Sequence, residues 1–419
     1  MHFRYGKQII DVQLPEHIQW QILEKPGSAS PVQEQQVIAN SIDRLMYLLH
    51  DQLQSIHNLL IIIPDHTRKC RLPLVLPLLM QRLQPYDLKT EFLVANGSHV
   101  EQPEAAIKEL VGEDIYTHYP VIQHDSRDEK SLIRFGVTDF GTEIYLNKKV
   151  READYVLTIG GILYHYFAGF GGGPKMLLPG VAGYETIRIN HRRTIDEQTG
   201  FFHKDCFEGN ITTNPVYRDL AQVVQWVPNC LSLQFALDVD GHIVYAESGP
   251  VLPTQNLVCA QVKELYSLSL REKAEIVVAS AGGFPADVNL IQAHKAIHHA
   301  FQAVREQGVV VIFAECAEGI GSKTFMPYFT EKTSRDIGRR LLRDYMINGQ
   351  TALSLKTKTE AVHIILVSLL DKDLVQQTGM IPCASAAEAM QTAQNYLDGR
   401  SGKGYLFPAA NLYVPHVTE

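Results

Sequence analysis

The chain has 419 residues, with 38 Lys plus Arg against 46 Asp plus Glu, for a net charge of −8. That length suggests two to three domains at roughly 100–200 residues each, and 45% hydrophobic with 20% charged residues excludes wholesale disorder. A mean hydropathy of −0.08 and a pI near 6.1 argue against membrane spans and against a general nucleic-acid binder, while leaving room for a local cationic pocket.

From the N-terminus, Met1 to Lys7 is not followed by the apolar core of a signal peptide. The six cysteines (Cys70, Cys206, Cys230, Cys259, Cys316 and Cys383) are scattered without a CxxC pair, so reduced thiols in a cytoplasmic protein are expected. Short apolar runs of buried-strand type occupy 58–63, 89–95, 155–159, 275–279, 309–314 and 362–367. Helical periodicity covers 74–83, 104–111, 288–307, 334–347 and 386–397. Apolar strands separated by amphipathic helices predict an α/β fold with mainly parallel sheets flanked by helices. The stretch 232–249 alternates instead, around Asp240-Gly241, and predicts a β-hairpin. A boundary after Leu268 gives an N-terminal domain, 1–268, and a smaller C-terminal one, 269–399. The tail, 400–419, is expected to pack back on the first domain, and the active site is expected in the interdomain cleft.

Polar residues directly after apolar strands mark where a parallel sheet binds ligands. Asp65-His66-Thr67-Arg68 follows the first strand and Asn96-Gly97-Ser98-His99 the second. The third leads into a glycine-rich stretch from Gly160 to Lys175, and the fourth into Gly282-Gly283-Phe284-Pro285-Ala286-Asp287 and a helix carrying Gln292 and Lys295. Gly169, Gly171, Gly172 and Gly173 let backbone approach a ligand and aim amides at an anion such as phosphate; the alternative is a purely structural loop. Pro174 before Lys175 excludes a Walker A loop, and the spacing also fails the dinucleotide GxGxxG unit.

A lone histidine after a strand is more often structural than catalytic. His99, His165 and His191 rise above that through convergence with a lysine, an arginine and a carboxylate. His294 and His298 have metal-capable spacing on a helix, but without an HExxH glutamate a structural or surface role is preferred. Asp65 and Arg68 form either a local ion pair or a functional one. In the second case Arg68 would grip a substrate carboxylate with its fork, and Asp65 would orient a neighbouring imidazole. Lys295 is either a second contact to that carboxylate or a solvated helix lysine.

Taken together, Asp65-His66-Thr67-Arg68, Gly97-Ser98-His99, the His165-to-Lys175 block, His191 and Gln292-Ala293-His294-Lys295 resemble the nickel-pincer nucleotide-dependent lactate racemase family. The resemblance implies a nickel-bearing pyridinium mononucleotide with sulfur groups, joined covalently through Lys175. His191 would ligate the nickel, and the loop of Gly171, Gly172 and Gly173 would hold the phosphate. It further implies racemisation or epimerisation of a 2-hydroxy acid by reversible hydride transfer from substrate Cα to the cofactor. His99 and His165 would be the acid/base pair, one per enantiomer. Arg68 and Lys295 would pin the carboxylate, with Gln292 assisting and Asp65 orienting. Enzymes that build the cofactor are the implied partners.

Val100 stands where the lactate enzymes carry arginine, and Ile291 where they carry tyrosine. A bulkier 2-hydroxy acid or a sugar acid therefore competes with lactate as substrate. The rival readings are a zinc-dependent hydrolase and a non-catalytic carrier of the cofactor or of a phosphorylated ligand.

Overall fold

The computed structural model describes residues 1–25, 31–66, 68 and 70–418. The chain divides into two compact units. The first comprises Gly27–Arg193 and Asp205–Leu265; the second comprises Met1–Pro26, Thr194–Lys204 and Tyr266–Glu419. The α/β class read from the sequence holds for both.

In the first unit a six-stranded sheet runs Ile243–Pro250, Cys230–Leu237, Tyr155–Gly161, Asn58–Pro64, Lys89–Ala95, Val121–Gln123. All neighbours are parallel except the first pair, the predicted hairpin. The chain builds outward from Asn58–Pro64 on one side, then crosses to lay Tyr155–Gly161 on the other. These two strands therefore flank the point where strand order reverses, the crevice in which open α/β sheets take their ligands. Burial explains the strands: Ile61, Ile63, Phe92, Val94, Leu157 and Ile159 join one core cluster. The helix Pro31–Leu49 covers that cluster with Ile38, Ile42, Leu45 and Leu49, a four–three–four spacing that lines one helix face.

The second unit holds a fully parallel sheet ordered Ile381–Cys383, His363–Val367, Val304–Phe313, Ala274–Ser280, Gly402–Phe407, Ile18–Ile22. Here the domain reading needs correction. The first residues of the chain belong to this unit, because Ile18–Ile22 pairs with Gly402–Phe407. The tail joins this unit too: Gly402–Phe407 pairs with Ala274–Ser280 on its other side, and Val414–Val417 pairs with Ser267–Leu270. Tyr405, Leu406 and Phe407 are buried, so the tail supplies core rather than covering it. The helix predicted over 288–307 spans Leu290–Ala303, and β-branched Val304 opens the strand that follows. Among the described residues no helix is long and apolar enough to cross a membrane.

Candidate active site

Asp65 leaves the C-terminal end of Asn58–Pro64 with its side chain 5% exposed, while the His99 side chain is 48% exposed. His99 Nδ1 lies 2.5 Å from Asp65 Oδ2. A buried carboxylate accepts, so Nδ1 carries the imidazole proton and Nε2 the lone pair. The backbone amide of Arg68 donates to Asp65 O at 3.1 Å, turning the chain so that a half-buried Arg68 sits three residues on. Thr67 lies outside the described residues.

A polar network that the sequence reading missed holds these two loops. Gln102 Oε1 accepts from the His66 amide at 3.1 Å and lies 2.6 Å from His66 Nδ1. Gln102 Nε2 donates to Asn96 Oδ1 at 2.6 Å, and the Gln102 amide donates to Gln123 Oε1 at 2.8 Å. Buried His124 donates from Nε2 to Ala182 O at 2.9 Å, and burial lowers its pKa, which suits a neutral structural imidazole. The Gly97 amide donates to Gly180 O at 2.9 Å, tying the His99 loop to the segment after Lys175.

On the far side of the strand-order reversal, Tyr155–Gly161 runs into a tight antiparallel pair, Tyr164–His165 with Gly169–Phe170. The amides of Phe167 and Ala168 donate to His165 Nδ1 at 3.5 and 3.3 Å. Its neutral ring therefore carries the proton on Nε2, the reverse of His99.

The glycines that follow answer first to packing. Gly172 and Gly173 have positive φ; a Cβ would lie 2.6 Å from Gly161 O at the first and 2.6 Å from Gln255 Cδ at the second. Gly171 is roomier, with Leu163 O at 3.7 Å, and its amide donates to that same carbonyl at 2.8 Å. The expectation that this amide points at an anion thus gives way to a loop-closing bond.

Lys175 follows in the short helix Gly173–Met176, its Nζ 5.4 Å from the centre of the Phe167 ring. The edge-on contacts of that ring join the group: its centroid is 4.4 Å from the His165 ring and 5.1 Å from His191. His191 is buried on the helix Tyr184–Arg192, and its pKa falls to about 3, through burial first and the Lys175 charge second. A neutral imidazole is the form a metal requires.

Phe167 carried no signal of its own, being one aromatic among several in the stretch. Gln292 and Lys295 lie in the second unit on the helix Leu290–Ala303, where Lys295 Nζ donates to Gln292 Oε1 at 2.7 Å. Among the described residues no three His, Cys, Asp or Glu side chains are grouped to hold a metal. One buried neutral imidazole beside a lysine fits a metal whose other donors arrive with a lysine-linked cofactor, and imidazole is a sound nickel ligand.

Residues 5–201 match the lactate racemase N-terminal domain and residues 270–403 the lactate racemase C-terminal domain. The chain is 28% identical over 411 residues to a lactate racemase of Thermoanaerobacterium thermosaccharolyticum, covering 95% of both. It is 29% identical over 393 residues to a lactate racemase of Lactiplantibacillus plantarum, covering 90% of this chain and 89% of the relative. The solved structure of the lactate racemase apoprotein from T. thermosaccharolyticum superposes with a TM-score of 0.88 at 26% identity, covering 99% of each chain. Motifs, fold and full-length similarity agree: the chain belongs to the lactate racemase family of isomerases.

Proposed function

We propose that this protein racemises or epimerises a 2-hydroxy acid with a nickel-pincer nucleotide joined to Lys175. The observation that carries the reading is His191, buried, neutral and 3.2 Å from Asn190 Oδ1 through Nδ1, in the same cluster as Lys175. That arrangement supports Nε2 of His191 as the nickel donor. The bound cofactor supplies an acceptor for the substrate's Cα hydride, which no side chain can provide.

The chain's own residues do the rest. Arg68 grips the carboxylate and fixes which face of Cα is presented. His99, with its lone pair on Nε2, takes the hydroxyl proton as the carbinol becomes a planar keto acid. Asp65 keeps that tautomer and stabilises the imidazolium. His165 would serve the opposite enantiomer, as the imidazolium when it returns a proton to the keto oxygen and as the neutral base when it takes one in the reverse direction. The presence of both His99 and His165 favours an enzyme over a carrier, since a carrier needs the lysine and loop but no acid/base pair. Gln292 and Lys295 enter as carboxylate contacts through the sequence resemblance alone. The substrate class stays broader than lactate because Val100 and Ile291 replace expected pocket residues. Cofactor-building enzymes are the implied partners, and a reducing cytoplasm suits six buried free thiols.

The test is an intact-mass spectrum of denatured protein co-produced with the cofactor-building enzymes and nickel. A mononucleotide adduct mapping to Lys175 is expected. An unmodified chain, with a known family member loaded in parallel, sinks the covalent reading.

A further inference from the structure

The orientation of His191 is set by groups that neither the sequence motifs nor the resemblance singled out. Asp219 is fully buried on the helix Pro215–Ala221. Its Oδ1 accepts from Thr138 Oγ1 at 2.6 Å; its Oδ2 accepts from Thr142 Oγ1 at 2.8 Å, Asn190 Nδ2 at 2.9 Å and Arg193 Nε at 2.9 Å. Asn190, equally buried, also donates from Nδ2 to Val216 O at 3.0 Å. Both amide hydrogens thus meet acceptors, and a flipped amide would set its oxygen against a carboxylate and a carbonyl. Oδ1 must then face His191, where it can only accept. The His191 Nδ1 at 3.2 Å therefore carries the proton.

The same short helix anchors the aromatic side of the site. Asn214 caps it by accepting from the amides of Val216 and Tyr217, and donates from Nδ2 to Phe167 O at 2.8 Å. One buried element thus holds both Asn190 and the backbone of the ring packed on His191.

We infer that Asn190, backed by Asp219, is a positioning residue that locks His191 in the Nδ1–H form and so dedicates Nε2 to the metal. Orienting partners of this kind fix a ligand's tautomer and raise its basicity. The inference rests on His191 as nickel ligand, and its test separates the two.

Protein labelled with 15N-histidine and prepared without cofactor is examined by long-range 1H–15N correlation, with His191 assigned by its loss in His191→Gln. The expected spectrum shows His191 protonated at Nδ1 in the wild type. In Asn190→Leu and in the near-isosteric Asp219→Asn, each checked for native circular dichroism, the Nε2–H form should appear. An Nε2–H wild-type ring overturns the inference without any variant, as does an unchanged Nδ1–H ring in both variants. In cofactor-loaded protein, nickel retention against a chelator should weaken about 10- to 100-fold in Asn190→Leu. Equal retention also overturns it. If no adduct forms on Lys175, the cofactor reading fails while the tautomer measurement still stands on its own.

Discussion

The Asp65 carboxylate and His99 Nδ1 meet at 2.5 Å, with the acid buried and the imidazole half-exposed. In the proposed reaction that polarity would make Asp65 the fixed member and His99 the working one. Asp65→Asn keeps the shape but lets the amide donate, which favours the wrong His99 tautomer. A fall in kcat of about 10²- to 10⁴-fold is expected, with KM little changed. Steady-state assay of both enantiomers checks it. For a true racemisation the two enantiomers have equal free energy, so kcat/KM must be the same in both directions, before and after the substitution. Unequal kcat/KM values in the two directions, in the wild type and the variant alike, would show that the substrate has a second stereocentre and that the reaction is an epimerisation.

The glycine run separates packing from ligand binding. Gly172→Ala and Gly173→Ala force a Cβ to within 2.6 Å of its neighbours at positive φ, so both should destabilise the fold by well over 1 kcal/mol. Gly171→Ala meets nothing nearer than 3.7 Å and should melt like the wild type. Thermal melts paired with intact mass decide the loop's role. A stable Gly171→Ala that fails to acquire the Lys175 adduct would show that the cofactor approaches too closely there to admit a Cβ.

Much of this site was legible because chemistry sits where apolar strands end. Pro64-Asp65 and Ala95-Asn96 announce themselves by an abrupt loss of hydrophobicity, and parallel-sheet geometry then sends both loops to one end. What holds them was not legible. Gln102 reads as an ordinary loop glutamine, yet it bonds His66 across 36 residues. Asn190 and Asp219 lie 29 positions apart in segments that look like exposed helix. Polar residues buried by tertiary contacts carry no periodic signature. Gly402–Phe407 shows the same limit at the scale of the fold, since nothing local says that a terminal strand inserts between Ala274–Ser280 and Ile18–Ile22.

Phe167 touches both His165 and His191 edge-on and lies under the Lys175 ammonium, so its removal should loosen all three. Phe167→Ala should cost about 3–5 kcal/mol, as large-to-small changes in packed cores do. Phe167→Leu keeps most of the volume and should cost under about 1.5 kcal/mol. Its kcat should nonetheless fall about tenfold or more, because misplacing a catalytic group is felt before the fold is. Denaturant melts alongside kinetics check this, and a Phe167→Leu enzyme with wild-type kcat would reduce the ring to filler.

The His191 imidazole gives the apoprotein a pH signature of definite sign. Burial, then the Lys175 charge, lowers its folded pKa to about 3, well below the roughly 6.5 of an unfolded histidine. Between those values the unfolded chain binds a proton that the folded one refuses. Stability contributed by the neutral ring is therefore intact above about pH 6.5 and is lost as pH falls toward 3, at up to about 1.4 kcal/mol per pH unit. His124, lowered in the same direction by burial, adds to the slope. Denaturant unfolding from pH 7 to pH 4.5 should show the wild type weakening faster than His191→Gln, which has no ring to protonate. Parallel slopes would mean that His191 gains its proton in the folded protein too, and with it would go the neutral imidazole on which the proposed metal binding depends.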